Sequence, residues 1–319
     1  MHLRLLIALV VVSVGSETNG ATSGLVSGRD EVHAAIRKSL PVLEKKGVAW
    51  MTKRKCVSCH QITSMLWSLN LVADSVIGFE RTKLDRWTAW SAEKMTAIVA
   101  DPKRSPPVDN LTRLLLGRYP VSKGGKDLYA KFPEWLAGSQ TNGFWKAAGQ
   151  LPGQKRPFRE TDEVTTMWTI LALTPFARQD ADLAEQLKLA QAWVAEGKSG
   201  VTTEWWVVRA LTERGKARNR LKQDLIKRQN PDGGWSWVEG KPSDPLGTGL
   251  ALYGLARMGV QPTHKTLRSA ADYLLGSQQD DGSWETPSTK RANKDEPNPI
   301  SNYWGTAWAV IGLASAWGS

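Results

Sequence analysis

Apolar residues along this 319-residue chain recur at helical spacing and seldom alternate with polar ones, so strand signals are weak. One amphipathic segment begins at a capping residue, Asp180 or Asp182, and ends at Gly197. Its apolar face consists of Leu183, Leu187, Ala190 and Val194. A second amphipathic segment ends at Gly276, and its apolar face consists of Leu267, Ala271 and Leu274. Both patterns predict helices that bury one face and expose the other.

A different kind of segment lies between the amphipathic ones and is apolar on nearly every side. Clear examples occupy residues 165–173, 203–211, 248–255 and 306–313, and weaker copies begin at Ser64 and Thr112. The six copies start roughly 37 to 58 residues apart, which is typical of helical-hairpin repeats. We therefore expect an all-α fold of about six hairpins with the apolar helices inside. A closed ring is the expected arrangement, and an open solenoid is the alternative.

Three connecting segments, residues 140–145, 229–235 and 278–284, each contain a Gln, a turn Gly and a Trp. The Gln amide can bond backbone groups at a helix end, and the indole can pack over the turn. These segments resemble the repeated glutamine–tryptophan motif of the terpenoid cyclase and prenyltransferase superfamily, the last two closely. The resemblance covers roughly residues 130–319 well and 60–130 weakly. It implies an α/α toroid in which such motifs tie the hairpins together.

The amino terminus has the pattern of a signal peptide. Arg4 precedes an apolar run over residues 5–14, and small residues follow as far as Ala21. We expect residues 1–20 to be removed on export to the periplasm or the extracellular space, with an uncleaved anchor as the alternative. Residues 21–45 then form a flexible lead-in and a first helix, and residues 46–319 form a single toroid domain. No later run is long and apolar enough to span a membrane.

The net charge of +11 bears on the partners of the chain. A strongly basic protein attracts acidic partners and anionic surfaces through long-range electrostatics. Nucleic acid is not an expected partner, because export removes the usual targets and the sequence contains no recognition motif.

The strongest chemical signal is the sequence Cys-Val-Ser-Cys-His at residues 56–60. Cys56 and Cys59 are spaced to add to the two vinyl groups of a haem, and His60 can then bind the iron from the proximal side. Both cysteines of the chain lie in this motif, and export suits the attachment of c-type haem. The predicted cofactor is therefore a covalent haem c. The alternatives are a Cys56–Cys59 disulfide, a thioredoxin-like redox pair, which the surrounding helix repeats do not favour, and a zinc site, for which no fourth ligand is apparent.

The distal iron ligand is a separate question. Met95 is the tentative candidate because it could approach from another segment, whereas Met65 lies on an apolar helix where a core role is commoner. The iron could also be five-coordinate. Basic residues at 45–46 and 53–55 could pair with the haem propionates or attract an acidic redox partner, or they could form a solvated face.

The acidic residues near position 160 do not predict cyclase chemistry. The squalene–hopene cyclase type, which the repeats resemble, uses an Asp-x-Asp-Asp cluster whose middle Asp protonates the substrate. Alignment on the following apolar helix places Asp162, Glu163, Val164 and Thr165 at these positions, so the catalytic acid is missing. Triterpene cyclisation is therefore not expected. Helix capping and the helix dipole adequately explain an acidic cluster formed by Glu160 with Asp162 and Glu163.

The expected function is an exported, haem c-binding toroid that transfers electrons or senses redox state, with the motif near the opening of the ring's central cavity. One alternative is a non-redox scaffold that holds an apolar ligand or a partner in that cavity. The other is an enzyme acting on an isoprenoid or a polysaccharide. Glu204, Asp244 and Glu285 are candidate carboxylates for glycan chemistry, although their positions at helix starts and turns explain them more simply.

Overall fold

The computed structural model describes residues 28–58, 60–101, 103–104, 106–118, 127–197 and 200–319. These residues form twelve α-helices joined by turns, a short 3-10 helix at Leu151–Gly153 and isolated β-bridges. The outer helices are α1 (Arg29–Arg54), α3 (Arg81–Val99), α5 (Phe132–Ala137), α7 (Ala181–Ala195), α9 (Gly215–Lys227) and α11 (Lys265–Ser277). The inner helices are α2 (Ile62–Ala73), α4 (Val108–Leu116), α6 (Phe158–Leu173), α8 (Thr203–Thr212), α10 (Pro245–Arg257) and α12 (Pro299–Trp317). The predicted signal peptide, residues 1–20, lies outside the described residues.

The inner helices form a closed ring. Each contacts the next along the chain, from α2 through α4, α6, α8 and α10 to α12, and α12 packs back against α2. All six apolar segments predicted as inner helices lie in inner helices, and α7 and α11 are the two amphipathic helices predicted, with Asp180 as the N-cap of α7. The predicted α/α toroid of about six hairpins is therefore confirmed, and the ring is closed rather than an open solenoid.

Helix α1 is the outer helix of the first hairpin. It packs against α2, α11 and α12, so the two ends of the described chain meet. The predicted domain boundary between residues 45 and 46 falls inside this helix, and the toroid includes residues from Arg29 onwards. Within the described ranges, the helices are too short or too polar to cross a membrane.

The glutamine–tryptophan motifs join neighbouring outer helices, as the motif at residues 278–284 illustrates. The side-chain amide of Gln278 donates to the carbonyl of Ala35 on α1, at 2.9 Å. The indole N–H of Trp284 donates to the carbonyl of Leu274 on α11, at 2.7 Å, and its backbone N–H donates to the hydroxyl of Thr306 on α12, at 3.0 Å. One motif thus ties together two outer helices and one inner helix, and this one closes the ring.

The other two motifs make the same set of bonds. The corresponding donor–acceptor pairs are Gln140 with Gln186, Trp145 with Leu136 and Thr166, Gln229 with Thr266, and Trp235 with Leu225 and Thr248. The turn glycines have positive φ, and a Cβ atom at Gly282 would overlap the backbone carbonyl of Lys38 on the next outer helix. The motif therefore needs Gly both for its turn and for its close approach to the neighbouring helix.

Aromatic side chains fill the centre of the ring. Trp67, Trp168, Tyr253 and Trp308 extend from α2, α6, α10 and α12 and meet with ring centroids 5.3 to 6.1 Å apart. Four of these six pairs are edge-to-face, an arrangement that aromatic quadrupoles favour, and the other two are tilted. At this level the toroid is a packed core rather than an open channel.

Candidate functional site

A buried ion cluster lies within the ring and is centred on Glu204 of α8. The guanidinium of Arg113 donates to one carboxylate oxygen at 3.1 Å, and that of Arg156 donates to the other at 3.0 Å. The indole N–H of Trp168 is a third donor, at 2.9 Å. Burial alone would raise the pKa of Glu204, but the two guanidinium groups hold it below its usual value. Glu204 is therefore ionised and fully engaged, which makes it a structural residue rather than a free catalytic carboxylate.

An open cavity of about 230 Å³, here called the mouth cavity, lies where the inner helices begin. Its lining comes from the turn before α2, the segment before α6, the segment 285–298 that precedes α12, and the helices α4 and α12. The lining residues are His60, Arg113, Gln150, Leu151, Gln154, Ser288, Thr289, Lys290, Asn293, Asn298, Ile300, Ser301 and Trp304. Because amides, hydroxyls and cations converge here with an indole and with the aliphatic side chains of Leu151 and Ile300, the cavity suits a small ligand that has both polar groups and an apolar face.

Two buried polar atoms of the mouth cavity, on Trp304 and Gln154, have no hydrogen-bond partner in the part of the chain that the structure describes. Trp304 is 4% exposed and Gln154 is 2% exposed. Neither the indole N–H of Trp304 nor the side-chain carbonyl of Gln154 makes a hydrogen bond within the described part of the chain. Buried polar groups are almost always satisfied, so a donor and an acceptor left over in one cavity indicate a ligand-binding site. The indole of Trp308 is also unpartnered, but it is enclosed by the central aromatic rings and does not line this cavity.

The segment 285–298, here called the strap, crosses the mouth of the ring and is held to the segment before α6. The backbone N–H of Lys155 donates to the carbonyl of Thr289 at 2.7 Å, and that of Arg291 donates to the carbonyl of Gly153 at 2.9 Å. The Lys155 ammonium also pairs with Asp295 at 2.6 Å. These bonds fix the strap as one wall of the mouth cavity.

His60 lines both the mouth cavity and a neighbouring cavity of about 260 Å³. Its ring lies edge-on to that of Trp50, with centroids 5.7 Å apart. Burial is the main cause that lowers the pKa of His60 to about 4, and the positive charges of Lys290 and Arg113 contribute to this shift. The imidazole is therefore neutral near pH 7, and the potential around it is positive.

The structure places the predicted haem residues as follows. Cys56 is exposed just after the end of α1, where its carbonyl accepts a bond from the indole of Trp50 at 3.2 Å, and it lines the neighbouring cavity with His60. Cys59 lies outside the described residues. Met95 is fully buried in the core on α3, away from the linings of both cavities that His60 shares. Its predicted role as the distal ligand remains a prediction, and its position is that of a packing residue.

The remaining sulfur and imidazole candidates have structural roles. Met65 is fully buried and packs against Gly47 of α1. A ring nitrogen of His33 is hydrogen-bonded to the carbonyl of Trp317 at 2.8 Å, and His264 caps the start of α11. The basic residues at 45–46 and 53–55 are exposed, as a solvated face would be.

The acidic residues at the start of α6 bind neighbouring segments and do not cap their own helix. Glu160 accepts the backbone N–H groups of Val201 and Thr202, at 2.8 and 3.0 Å. Asp162 accepts the backbone N–H of Ala147, and Glu163 accepts the indole N–H of Trp205. The predicted helix capping is wrong, because α6 has no side-chain cap. The cluster is nevertheless structural: most of its bonds reach other segments, and Glu163 also pairs with Arg159 one turn earlier, at 2.9 Å.

Of the glycan candidates, Asp244 caps α10 and also accepts the backbone N–H of Trp237, and burial raises its pKa to about 6. Glu285 is exposed. A carboxyl group outside this set, that of Asp109 on α4, lines the neighbouring cavity together with His60. Asp109 accepts bonds from Thr165 at 2.8 Å and from a backbone N–H at 3.2 Å, and burial raises its pKa.

No pattern in the sequence predicts a functional role for Asp109, Gln154, Lys290 or Trp304. Gln154 and Lys290 lie in segments without helical periodicity. They are far apart in the sequence, and only the closed ring brings them into contact. The sequence does indicate a special role for Arg113 and Glu204, because each is a charged residue within a largely apolar run. Such a charge is retained in a buried helix only when a partner or a ligand compensates it.

The sequence of the C-terminal part is similar to that of terpenoid cyclases. Residues 207–319 match the squalene-hopene cyclase C-terminal domain. Over 86 residues the chain is 34% identical to the drimenyl diphosphate synthase of Streptantibioticus cattleyicolor, and a similar match of 87 residues exists in the synthase of Streptomyces showdoensis. The first match covers 27% of this chain but only 15% of that synthase. These matches support a relation to the terpenoid-cyclase-like toroids in the repeat region.

The whole fold is similar to that of glycoside hydrolase toroids. A crystal structure of a possible member of the GH105 family from Klebsiella pneumoniae covers 97% of this chain and 98% of its own, with a TM-score of 0.56 and 14% identity. A mutant of the unsaturated glucuronyl hydrolase from Streptococcus agalactiae covers 91% of both chains, with a TM-score of 0.56 and 13% identity. At these identities the likeness concerns the fold alone. The class of the protein is thus an α/α toroid of six hairpins with terpenoid-cyclase-like repeats.

Proposed function

We propose that this chain is an enzyme that acts on acidic glycans and that its mouth cavity binds one uronate unit of the substrate. The observation that carries the proposal is that one cavity contains a buried donor, the indole N–H of Trp304, and a buried acceptor, the amide oxygen of Gln154, neither of which has a hydrogen-bond partner among the described residues. A sugar hydroxyl both donates and accepts hydrogen bonds, so a sugar ring satisfies both groups. The indole of Trp304 also offers an apolar surface to the ring's C–H groups.

The charge of the site supports an acidic ligand. Arg113 and Lys290 line the mouth cavity, and both lower the pKa of His60. Guanidinium and ammonium groups form charge-assisted hydrogen bonds with carboxylates, which favours a uronate over a neutral sugar. The chain's net charge of +11 acts in the same direction on a polyanionic glycan.

We assign the proton donor of the reaction to Asp109. A carboxyl group whose pKa is raised by burial stays protonated to a higher pH, as a general acid must. The cavity that Asp109 lines shares His60, Gln150 and Ile300 with the mouth cavity, so the two spaces adjoin. The solved toroid of similar fold from Streptococcus agalactiae, an unsaturated glucuronyl hydrolase, adds a fold-level reason for this substrate class.

An isoprenoid substrate agrees less well with these cavities. The aromatic cluster of Trp67, Trp168, Tyr253 and Trp308 occupies the centre of the ring, where an apolar chain would need room. The terpenoid-cyclase match covers residues 207–319, which contain the hairpins tied by the structural glutamine–tryptophan motifs. Similarity in those motifs supports the fold more than the substrate.

Binding is tested by isothermal titration of the purified chain with D-glucuronate and, for comparison, D-glucose. We expect glucuronate to bind more tightly than glucose, and we expect Trp304→Phe and Gln154→Ala each to weaken binding by about three- to tenfold. Trp135→Phe, on the outer helix α5, is the matched control and should bind as the unaltered chain does. Equal affinity for the two sugars, or none for either, would contradict the proposal.

Turnover is tested separately, with uronate-containing oligosaccharides and a reducing-end assay. Asp109→Asn preserves the size of the side chain but removes the proton, so glucuronate binding should persist while turnover falls by at least about a hundredfold. If Asp109→Asn retains full turnover, the acid is another group.

The second candidate function is that of a c-type haem protein, and it rests on the cavity shared by Cys56 and His60. The motif contains the residue types that such a group requires. Cys56 and Cys59 would hold the vinyl carbons, His60 would bind the iron, and Trp50 would pack beside the imidazole. A haem would supply one-electron chemistry, with an acidic redox partner drawn to the basic surface. This function presupposes export to the periplasm or the extracellular space.

Expression in cells that mature c-type haem distinguishes this candidate. Haem that remains on the chain through a denaturing gel, and that Cys56→Ser abolishes, would support it. A colourless chain would exclude it and leave the glycan proposal untouched.

A further inference from the structure

A second cavity lies on the other side of the strap. It has a volume of about 380 Å³ and is lined by Trp237, Val238, Lys241, Ser243 and Asp295, among others. Ser288 and Thr289 of the strap line both this cavity and the mouth cavity. The two spaces are therefore neighbours separated by one short piece of backbone.

Trp237, like Trp304, is a buried tryptophan whose indole N–H is not used by the rest of the described chain. It is 3% exposed, and its indole N–H makes no hydrogen bond to any described residue. Its position is nevertheless fixed, because its backbone N–H donates to the buried Asp244 at 2.5 Å and the guanidinium of Arg156 lies 5.5 Å from its ring. A rigidly held indole with an unused donor on a cavity wall is suited to bind an acceptor oxygen of a ligand.

The two indoles lie close enough for one ligand to reach both. The ring centroids of Trp237 and Trp304 are 6.4 Å apart, with the planes inclined at 58°. The second cavity also contains hydroxyl groups and the ammonium of Lys241, and the prolines at 242 and 287 give it an apolar floor. Amphipathic walls of this type match a sugar unit, which has hydroxyl edges and C–H faces.

We propose that the second cavity is a subsite for the next sugar unit of the glycan held in the mouth cavity, with Trp237 as its hydrogen-bond donor. This inference rests on the proposed function. It specifies that the substrate is at least a disaccharide, with a uronate in the mouth cavity and a second sugar across the strap. The strap is then a wall shared by two subsites.

The test compares titrations with glucuronate and with a disaccharide that carries glucuronate at its non-reducing end. We expect the disaccharide to bind about tenfold more tightly than the monosaccharide. Trp237→Phe should weaken disaccharide binding by about three- to tenfold and leave glucuronate binding unchanged. Trp304→Phe should weaken both, and Trp135→Phe should change neither.

A second variant covers the case in which Trp237→Phe does not fold. Val238 lines the second cavity and not the mouth cavity, so Val238→Trp should fill the subsite and abolish the advantage of the disaccharide. If glucuronate binds but the disaccharide binds no more tightly and both variants have no effect, the subsite is wrong and the proposed function stands. If neither sugar binds, both proposals fail.

Discussion

The ion cluster and the mouth cavity are adjacent regions of one ring, and they differ in how completely the protein satisfies its own polar groups. In the cluster, Glu204 receives bonds from two guanidinium groups and an indole. In the mouth cavity, the indole of Trp304 and the amide oxygen of Gln154 have no protein partner among the described residues. Burial of a polar side chain therefore does not by itself mark a functional site. The satisfied groups stabilise the fold, and the unsatisfied ones identify where a ligand is expected.

The largest expected effect comes from removing the charge of Glu204. Glu204→Gln leaves two buried guanidinium groups without a counterion, which should lower the free energy of unfolding by about 3–5 kcal/mol. Urea denaturation measures this change, and the exposed Glu285→Gln is the control, with an expected effect near zero. If the two variants are equally stable, the cluster is not a structural element.

The second effect depends on pH and concerns His60. Because the folded chain lowers the pKa of His60 from 6.5 to about 4, the unfolded state binds the proton more readily between these values. The stability that the neutral imidazole contributes is present above pH 6.5 and is lost as the pH falls towards 4, by roughly 3 kcal/mol. His60→Asn should therefore lose less stability than the unaltered chain between pH 7 and pH 4. Parallel loss in both chains would show that other groups cause it.

The third test compares two indoles directly. Trp284→Phe removes an N–H bonded to the carbonyl of Leu274, whereas Trp304→Phe removes one that bonds to no described group. Both changes shrink a buried ring equally, so the difference in stability isolates the hydrogen bond. We expect Trp284→Phe to be less stable than Trp304→Phe by about 1–3 kcal/mol in thermal or urea unfolding. The reverse order would mean that Trp304 has a protein partner.

The smallest effect concerns ring closure. Gln278 bonds α1 across the junction between the chain ends, while its neighbour Gln279 bonds only nearby backbone through its side chain. Gln278→Ala should cost about 1 kcal/mol, and Gln279→Ala should cost little. The rate of amide hydrogen exchange in α1 should rise in Gln278→Ala but not in Gln279→Ala. If the rate does not rise in Gln278→Ala, other contacts of α1 suffice to close the ring.

The fold was predictable from the sequence to a large extent because its causes are local and repeated. Apolar runs without a polar face predict buried helices. The turn from Gln278 to Trp284 contains within seven residues the Gln amide, the turn glycine and the indole that join the neighbouring helices. The weak copies near Ser64 and Thr112 occupy equivalent inner helices because the ring, rather than their own pattern, buries them. The site was less predictable, since Gln154, Lys290 and Trp304 come from segments far apart in the chain.

The sequence by itself thus determined the inner and outer helices, the turn motifs and the Cys-Val-Ser-Cys-His candidate, since each depends on residues within a few turns of one another. Only the tertiary structure decided that the ring closes, that aromatic rings fill its centre and that Arg113 and Arg156 neutralise Glu204. It also decided which buried groups of the mouth cavity lack a partner. Whether a buried polar group finds a hydrogen-bond partner depends on contacts between residues more than a hundred positions apart, such as those of Gln154 with the strap. No local sequence pattern encodes those contacts.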